Sequence, residues 1–164
     1  MKAPRPPRRA LALDAVSTLA LAVWFGGLVV LGAVVAPIVF RTVPMPTAAD
    51  AMTLVFRRFD SVALGAAIVA CLAEGAALAW GYARVRSHTV MLFAAAALAL
   101  VQAMALSAPI ETLHREGAVR GRGAPGERLE VLHRWAERSA KTQVLLLAGC
   151  LFLGRVNTKK RLPV

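Results

Sequence analysis

The chain has 164 residues, of which 58% are hydrophobic, and a formal net charge of +11 from 20 Lys and Arg against 9 Asp and Glu. The hydrophobic share exceeds the roughly 45–50% of soluble domains and excludes an ordinary water-soluble protein. The basic residues sit at the ends of apolar runs, where headgroups and topology account for them, so no nucleic-acid partner is expected.

The first element is Ala15–Phe40, 26 consecutive uncharged residues. At about 1.5 Å per residue such a helix exceeds the roughly 30 Å hydrocarbon core of a bilayer. A soluble helix needs only one apolar stripe, so a run apolar on every face predicts a membrane span. Residues 1–14 are basic and proline-rich and read as a disordered tail resembling a signal-peptide leader. Asp14 and the length of the following run favour an uncleaved first span.

Pro44 and Pro46 end that helix. Thr47 with Asp50 reads as an N-terminal cap, and Met52, Phe56 and Phe59 recur at helical spacing around Arg57 and Arg58, as in an interfacial amphipathic turn. The second span is expected at 61–83, with Glu74 its only charge and Trp80 and Tyr82 near its end. After a basic turn at Arg84, Arg86 and His88, the third span is expected at 89–110, with Gln102 its most polar side chain. Pro109 is expected to weaken or end it.

Residues 111–128 are glycine-rich and read as a loop. The last helix is expected from about Glu127, crossing at 135–155 although its uncharged part, 142–154, has only 13 residues; Arg138 and Lys141 would snorkel. Residues 156–164 read as a basic tail. Cys71 and Cys150 lie in apolar runs without a Cys-x-x-Cys partner and read as small buried residues. Small residues recur at four-residue spacing (Ala73, Ala77, Gly81; Ala95, Ala99, Ala103, Ser107), and Gly26, Gly27 and Gly32 lie in the first span; such residues let membrane helices approach closely. The predicted fold is all-α, an integral membrane bundle of four transmembrane helices.

Basic residues divide ten and ten between the two sides of a four-span topology. The compact basic N-terminus favours cytoplasmic termini in an inner (cell) membrane, because the first helix usually sets orientation.

Two features could carry chemistry. Glu74 lies within a span, where a charge costs about 2.5–3.5 kcal/mol, so it should face the bundle or be protonated; it reads as an ion or proton site, or as a neutral carboxyl bonded to Gln102 or Ser107. Glu111-x-x-His114 and Glu130-x-x-His133 repeat a spacing that puts carboxylate and imidazole on one helical face, as in di-metal carboxylate bundles. Against this, Glu111 with Arg115, Glu130 with Arg134 and Glu137 with Lys141 are ordinary i,i+4 ion pairs. Serine-nucleophile, phosphate-loop and dinucleotide patterns are missing, so no cofactor and no soluble-type enzyme is expected.

Trp24-Phe25-Gly26-Gly27, Ala36-Pro37-Ile38-Val39-Phe40-Arg41, Phe56-Arg57-Arg58-Phe59 and Leu129-Glu130-Val131-Leu132-His133-Arg134-Trp135 together resemble the transmembrane protein 205-like family, grouped under domain of unknown function 4149. The resemblance implies a four-helix membrane protein without an assigned reaction, and an association of eukaryotic relatives with tolerance to platinum drugs. Trp24, Gly26 and Gly27 are also similar to the opening of copper-resistance membrane proteins. The expectation is therefore a non-enzymatic structural, interaction or stress-tolerance component. Its partners would be membrane lipid and a second copy or another membrane protein. The alternatives are metal or ion handling through Glu74 and the histidines, and a membrane di-metal oxidoreductase on the two Glu-x-x-His pairs.

Overall fold

The structure is a computed structural model that describes residues 7–45, 47–82 and 85–160. The expectations for residues 1–6, Pro46, Ala83, Arg84 and residues 161–164 lie outside the described residues. Four helices follow one another: α1, Arg8–Thr42; α2, Thr47–Ala79; α3, Arg86–Arg115; and α4, Gly123–Lys160. No strand occurs among the described residues. By length and composition α1, α2 and α3 can each cross a membrane.

The helices form a ring in chain order, with α1 against α2, α2 against α3, α3 against α4 and α4 back against α1. Arg9 stacks over Trp80 at 6.0 Å, which places the start of α1 beside the end of α2. Arg57 pairs with Glu111, which places the start of α2 beside the end of α3. Successive helices therefore run antiparallel, as short connections require.

Helix α1 starts at Arg8 rather than near residue 15, because Ala10, Leu11, Ala12 and Leu13 favour helix and no proline lies between Pro7 and Pro37. Helix α2 ends four residues before the expected 83. Gly81, at φ +71°, accepts a left-handed conformation, and the Tyr82 and Gly81 amides cap the carbonyls of Ala77 and Leu78. Gly81 thus closes a helix and is not part of the small-residue packing row. A second cap of the same kind, with Gly117 at φ +77°, ends α3.

The end of α3 also departs from expectation, since the helix passes Pro109 and continues to Arg115. A π-helical turn, Gln102–Ser107, precedes the proline and absorbs the donor that proline lacks. The connecting loop shrinks to residues 116–122, and α4 starts at Gly123 with Pro125 in its first turn, where a missing donor costs nothing. At its other end α4 continues through residues 156–160, which the sequence assigned to a tail.

Packing relies on small side chains. Ala63, Ala67, Ala70, Ala73 and Ala77 of α2 are buried, as are Ala95, Ala99, Ala103 and Ser107 of α3. Backbones approach closely there and gain dispersion, which lipid cannot replace with a hydrophobic drive. Trp24, Leu92 and Leu147 are the bulky members of this core, each fully buried.

Of the three glycines expected to admit neighbours in α1, only Gly27 does so. A Cβ there would lie 2.2 Å from the Phe59 ring, whereas Gly26 and Gly32 face open space. Gly27→Ala should therefore cost about 1–3 kcal/mol through overpacking against α2. Gly26→Ala should be neutral or gain up to about 1 kcal/mol in helix propensity. Reversible unfolding in mixed micelles measures both, and equal effects would contradict the assignment.

Candidate ligand cavity

Two groups of buried polar side chains lie at opposite ends of the bundle. At the end shared by the start of α1 and the end of α2, Glu74 is fully buried and His88 is 3% exposed. The Thr89 hydroxyl donates to Glu74 Oε1 at 2.5 Å, and His88 Nδ1 lies 3.6 Å from the same oxygen. The sequence offered Gln102 or Ser107 as partners for Glu74. Those two instead face each other at the far end of α3, with Gln102 Nε2 3.5 Å from Ser107 Oγ. Ser107 and Thr89 are 18 residues apart on one helix, about 27 Å at roughly 1.5 Å per residue. Leu21, Leu92 and Leu147 are buried in the apolar core between the two groups.

The second group lines a cavity of about 490 Å³. Phe40 and Met45 come from the end of α1 and the turn after it. Ala49, Met52, Thr53, Phe56 and Arg57 come from the first turns of α2, and Gln102, Ser107, Ile110 and His114 from the π-helical turn of α3 and the segment beyond it. The loop and α4 close the cavity with Ala118, Val119, Arg120, His133, Ala136 and Glu137.

The helix ends that frame this cavity share one construction. Ala36-Pro37-Ile38 in α1 and Ala108-Pro109-Ile110 in α3 are each immediately preceded by a π-helical turn, Leu31–Val35 and Gln102–Ser107. The chain is thus two antiparallel helix pairs, each with its first helix interrupted by proline at the same end. Proline-interrupted segments at corresponding positions of two halves are a general pointer to a binding site in membrane proteins. The repeated Ala-Pro-Ile was a readable signal that the sequence analysis did not use.

Polar groups are fixed around the cavity. The Arg57 Nε donates to Glu111 at 2.9 Å, and its Nη1 donates to the Ala103 carbonyl inside the π-helical turn at 3.1 Å. Glu111 also accepts from Arg115. Behind this wall Asp60, 9% exposed, accepts a hydrogen bond from Ser107 and faces Arg57; sequence reading gave it no role, since it lies just outside the uncharged run.

The two histidines of the repeated spacing come together, with ring centroids 5.8 Å apart and planes at 70°. Their glutamates do not join them. Glu111 is held by the two arginines, and Glu130 turns toward Gly121, 3.8 Å from where a Cβ would stand there. Among the described residues no group of three or more His, Cys, Asp or Glu is placed to hold a metal ion. His114 Nε2 is buried without a hydrogen-bond partner among the described residues.

Burial, then the Arg120 guanidinium and His114, push the His133 imidazole down to about 4 from its usual 6.5. Folded His133 therefore stays neutral while the unfolded chain protonates it at its ordinary pKa. Its effect on stability is nil above roughly pH 6.5, grows unfavourable as the pH falls toward about 4, and levels off below. His133→Asn should flatten this part of a pH series of thermal unfolding midpoints; an unchanged slope would show that other groups carry it.

Apolar helices long enough to cross a bilayer, small-residue packing and buried polar groups inside the ring define a multi-pass membrane helix bundle. A family model, the domain of unknown function DUF4149, matches residues 19–119, and the chain belongs to that family. The matched stretch holds the Trp24–Gly27, Ala36–Arg41 and Phe56–Phe59 motifs and stops short of Leu132 and His133. Comparison with curated proteins and with solved structures returns no match.

Proposed function

We propose that the chain is a non-enzymatic interaction component of a cell membrane that holds one amphiphilic molecule in the cavity at the proline-interrupted end of the bundle. The observation that carries this reading is the cavity itself. Its volume of about 490 Å³ falls in the range of small-molecule sites, and apolar walls with a few fixed polar groups are their usual lining. Phe40, Met45 and Phe56 are 50%, 69% and 37% exposed, so the apolar side opens outward, where acyl chains would surround a membrane helix. Gln102, the cavity residue nearest to Thr89 along α3, is still 13 residues or about 20 Å from it, and that distance with the leucine core favours binding over transport between the two polar groups.

Native mass spectrometry of the protein extracted in mild detergent tests this. One small-molecule adduct per chain is expected, reduced at least tenfold in Ala49→Trp and in Ala136→Trp, which fill the cavity from different helices. Retention of the adduct in both variants, with helicity intact, would overturn the reading.

In this proposal α4 is a fourth crossing, the membrane is a bacterial inner membrane, and both termini face the cytoplasm. A reporter fused after Val164 that proves active outside the cytoplasm would reverse the orientation.

A second reading rests on the adjacent imidazoles of His114 and His133, which could share a metal ion with donors other than the two glutamates. It requires metal in the purified protein that His114→Ala or His133→Ala removes. Protein free of metal, with no thermal shift on adding copper, zinc or iron, would exclude it.

A further inference from the structure

We infer that the occupant is a single-chain amphiphile with an anionic oxygen head, a long-chain carboxylate, its head between Arg120 and the His114–His133 pair and its chain along Phe56 and Phe40. The inference rests on the binding reading above and specifies its ligand.

Two guanidinium groups line the cavity, and they are differently placed. Arg57 is committed to Glu111 and to the Ala103 carbonyl. Arg120 makes no hydrogen bond or close ion pair among the described residues; Glu137, which lines the same cavity and feels the Arg120 charge at longer range, is held by Lys141 at 2.6 Å. The Arg120 fork is therefore open to a planar oxyanion, which guanidinium binds bidentately. Its backbone is set in advance: the Gly121 amide donates to the Gly126 carbonyl at 3.3 Å and the Arg122 amide to the Val119 carbonyl at 3.0 Å.

The second polar contact comes from inside. His114 Nε2 is buried beside His133 and bonds to nothing among the described residues, and a buried polar atom left so is destabilising until a partner reaches it. A head oxygen seated between Arg120 and the imidazoles satisfies both. A cationic head would meet the uncommitted Arg120 guanidinium, while the lining carboxylate, Glu137, is already held by Lys141. Size selects the chain: about 490 Å³ holds one drug-sized molecule rather than the paired chains of a phospholipid. The exposed rings of Phe40 and Phe56 give a single chain an exit toward surrounding lipid.

The experiment uses the full chain in neutral detergent with the fluorescent polyene fatty acid cis-parinarate. Saturable binding is expected, displaced by oleate at a concentration at least tenfold lower than by oleyl alcohol and not by oleylamine. Arg120→Gln lies in an exposed turn and should abolish the preference for oleate over oleyl alcohol, with Arg120→Lys restoring part of it. Equal displacement by oleate and oleyl alcohol, an unaltered preference in Arg120→Gln, or stronger displacement by a two-chain phosphatidic acid would each overturn the inference. Failure of parinarate to bind, while an amphiphile still copurifies and is lost in Ala49→Trp, overturns this inference alone. Parinarate bound equally well by wild type and Ala49→Trp overturns the cavity reading with it.

Discussion

Trp24→Ala is expected to be the most destabilising single substitution in the bundle, at about 3 kcal/mol or more. The indole is fully buried on α1, within the core cluster that draws on all four helices. Its Nε1 donates to Gln143 Oε1 on α4 at 3.3 Å, and the Gln143 amide passes the connection to Ser139 Oγ at 3.3 Å. Truncation empties the largest buried volume in the core and leaves the Gln143 carbonyl without its donor. In soluble proteins Trp→Ala costs about 3–5 kcal/mol, partly through transfer to water. A bilayer removes much of that transfer term and leaves the lost packing, which places the expectation toward the lower end. Trp24→Phe keeps most of the volume and loses the hydrogen bond, which within membranes is worth about 0.6 kcal/mol on average and about 1.7 kcal/mol at most. Unfolding in mixed micelles, run as a double-mutant cycle with Gln143→Leu, separates the two contributions. A Trp24→Ala cost below about 1 kcal/mol would show that α1 does not pack as described.

Gly126→Ala comes second, because its clash is with backbone. A Cβ on Gly126 would stand 2.1 Å from the Val119 carbonyl oxygen and 3.3 Å from the Gly121 nitrogen. A ring such as Phe59 can turn aside, but a peptide group moves only with its turn. The turn in question carries Arg120 and closes the cavity. The expected cost is about 1–3 kcal/mol in stability, together with at least a tenfold loss of the bound amphiphile. Gly65→Ala is the control, since nothing lies within 4 Å of a Cβ there; it should keep the ligand and gain up to about 1 kcal/mol from helix propensity. Retained ligand occupancy in Gly126→Ala would separate the turn from the site.

Much of the fold was legible because membrane helices announce themselves by composition. An uncharged run of 26 residues has few readings, and alanines at four-residue spacing mark the faces that meet. The helix ends were less legible. Pro109 stops a regular helix, and only the π-helical turn before it lets α3 continue to Arg115. That device leaves no compositional trace, although the recurrence of Ala-Pro-Ile marks where it acts.

The site was legible only in fragments. The Glu-x-x-His spacing brought His114 and His133 to attention, and the fold sets them side by side. What the spacing could not show is that Arg57, 54 residues from Glu111, would take the carboxylate. Glu74 beside His88 and Thr89, and Trp24 on Gln143, are likewise pairings between helices. Sequence neighbours suggest local ion pairs, whereas these contacts exist only once α1 to α4 close into a ring. Arg120 reads as one loop arginine among several until Gly117 in the loop and Gly126 in the first turn of α4 bring it over the cavity.

Photolabelling tests the central claim most directly. A diazirine-bearing fatty acid would be added to membranes containing the full chain, and the crosslinked peptides mapped by mass spectrometry. The expected labels fall on the segments around Met52–Arg57, Ile110–Arg120 and His133–Glu137 and disappear in Ala49→Trp. Labels spread over outward-facing Leu72, Leu145 and Phe152, indifferent to Ala49→Trp, would mean that the molecule contacts the bundle only as ordinary lipid and that the cavity is not a binding site.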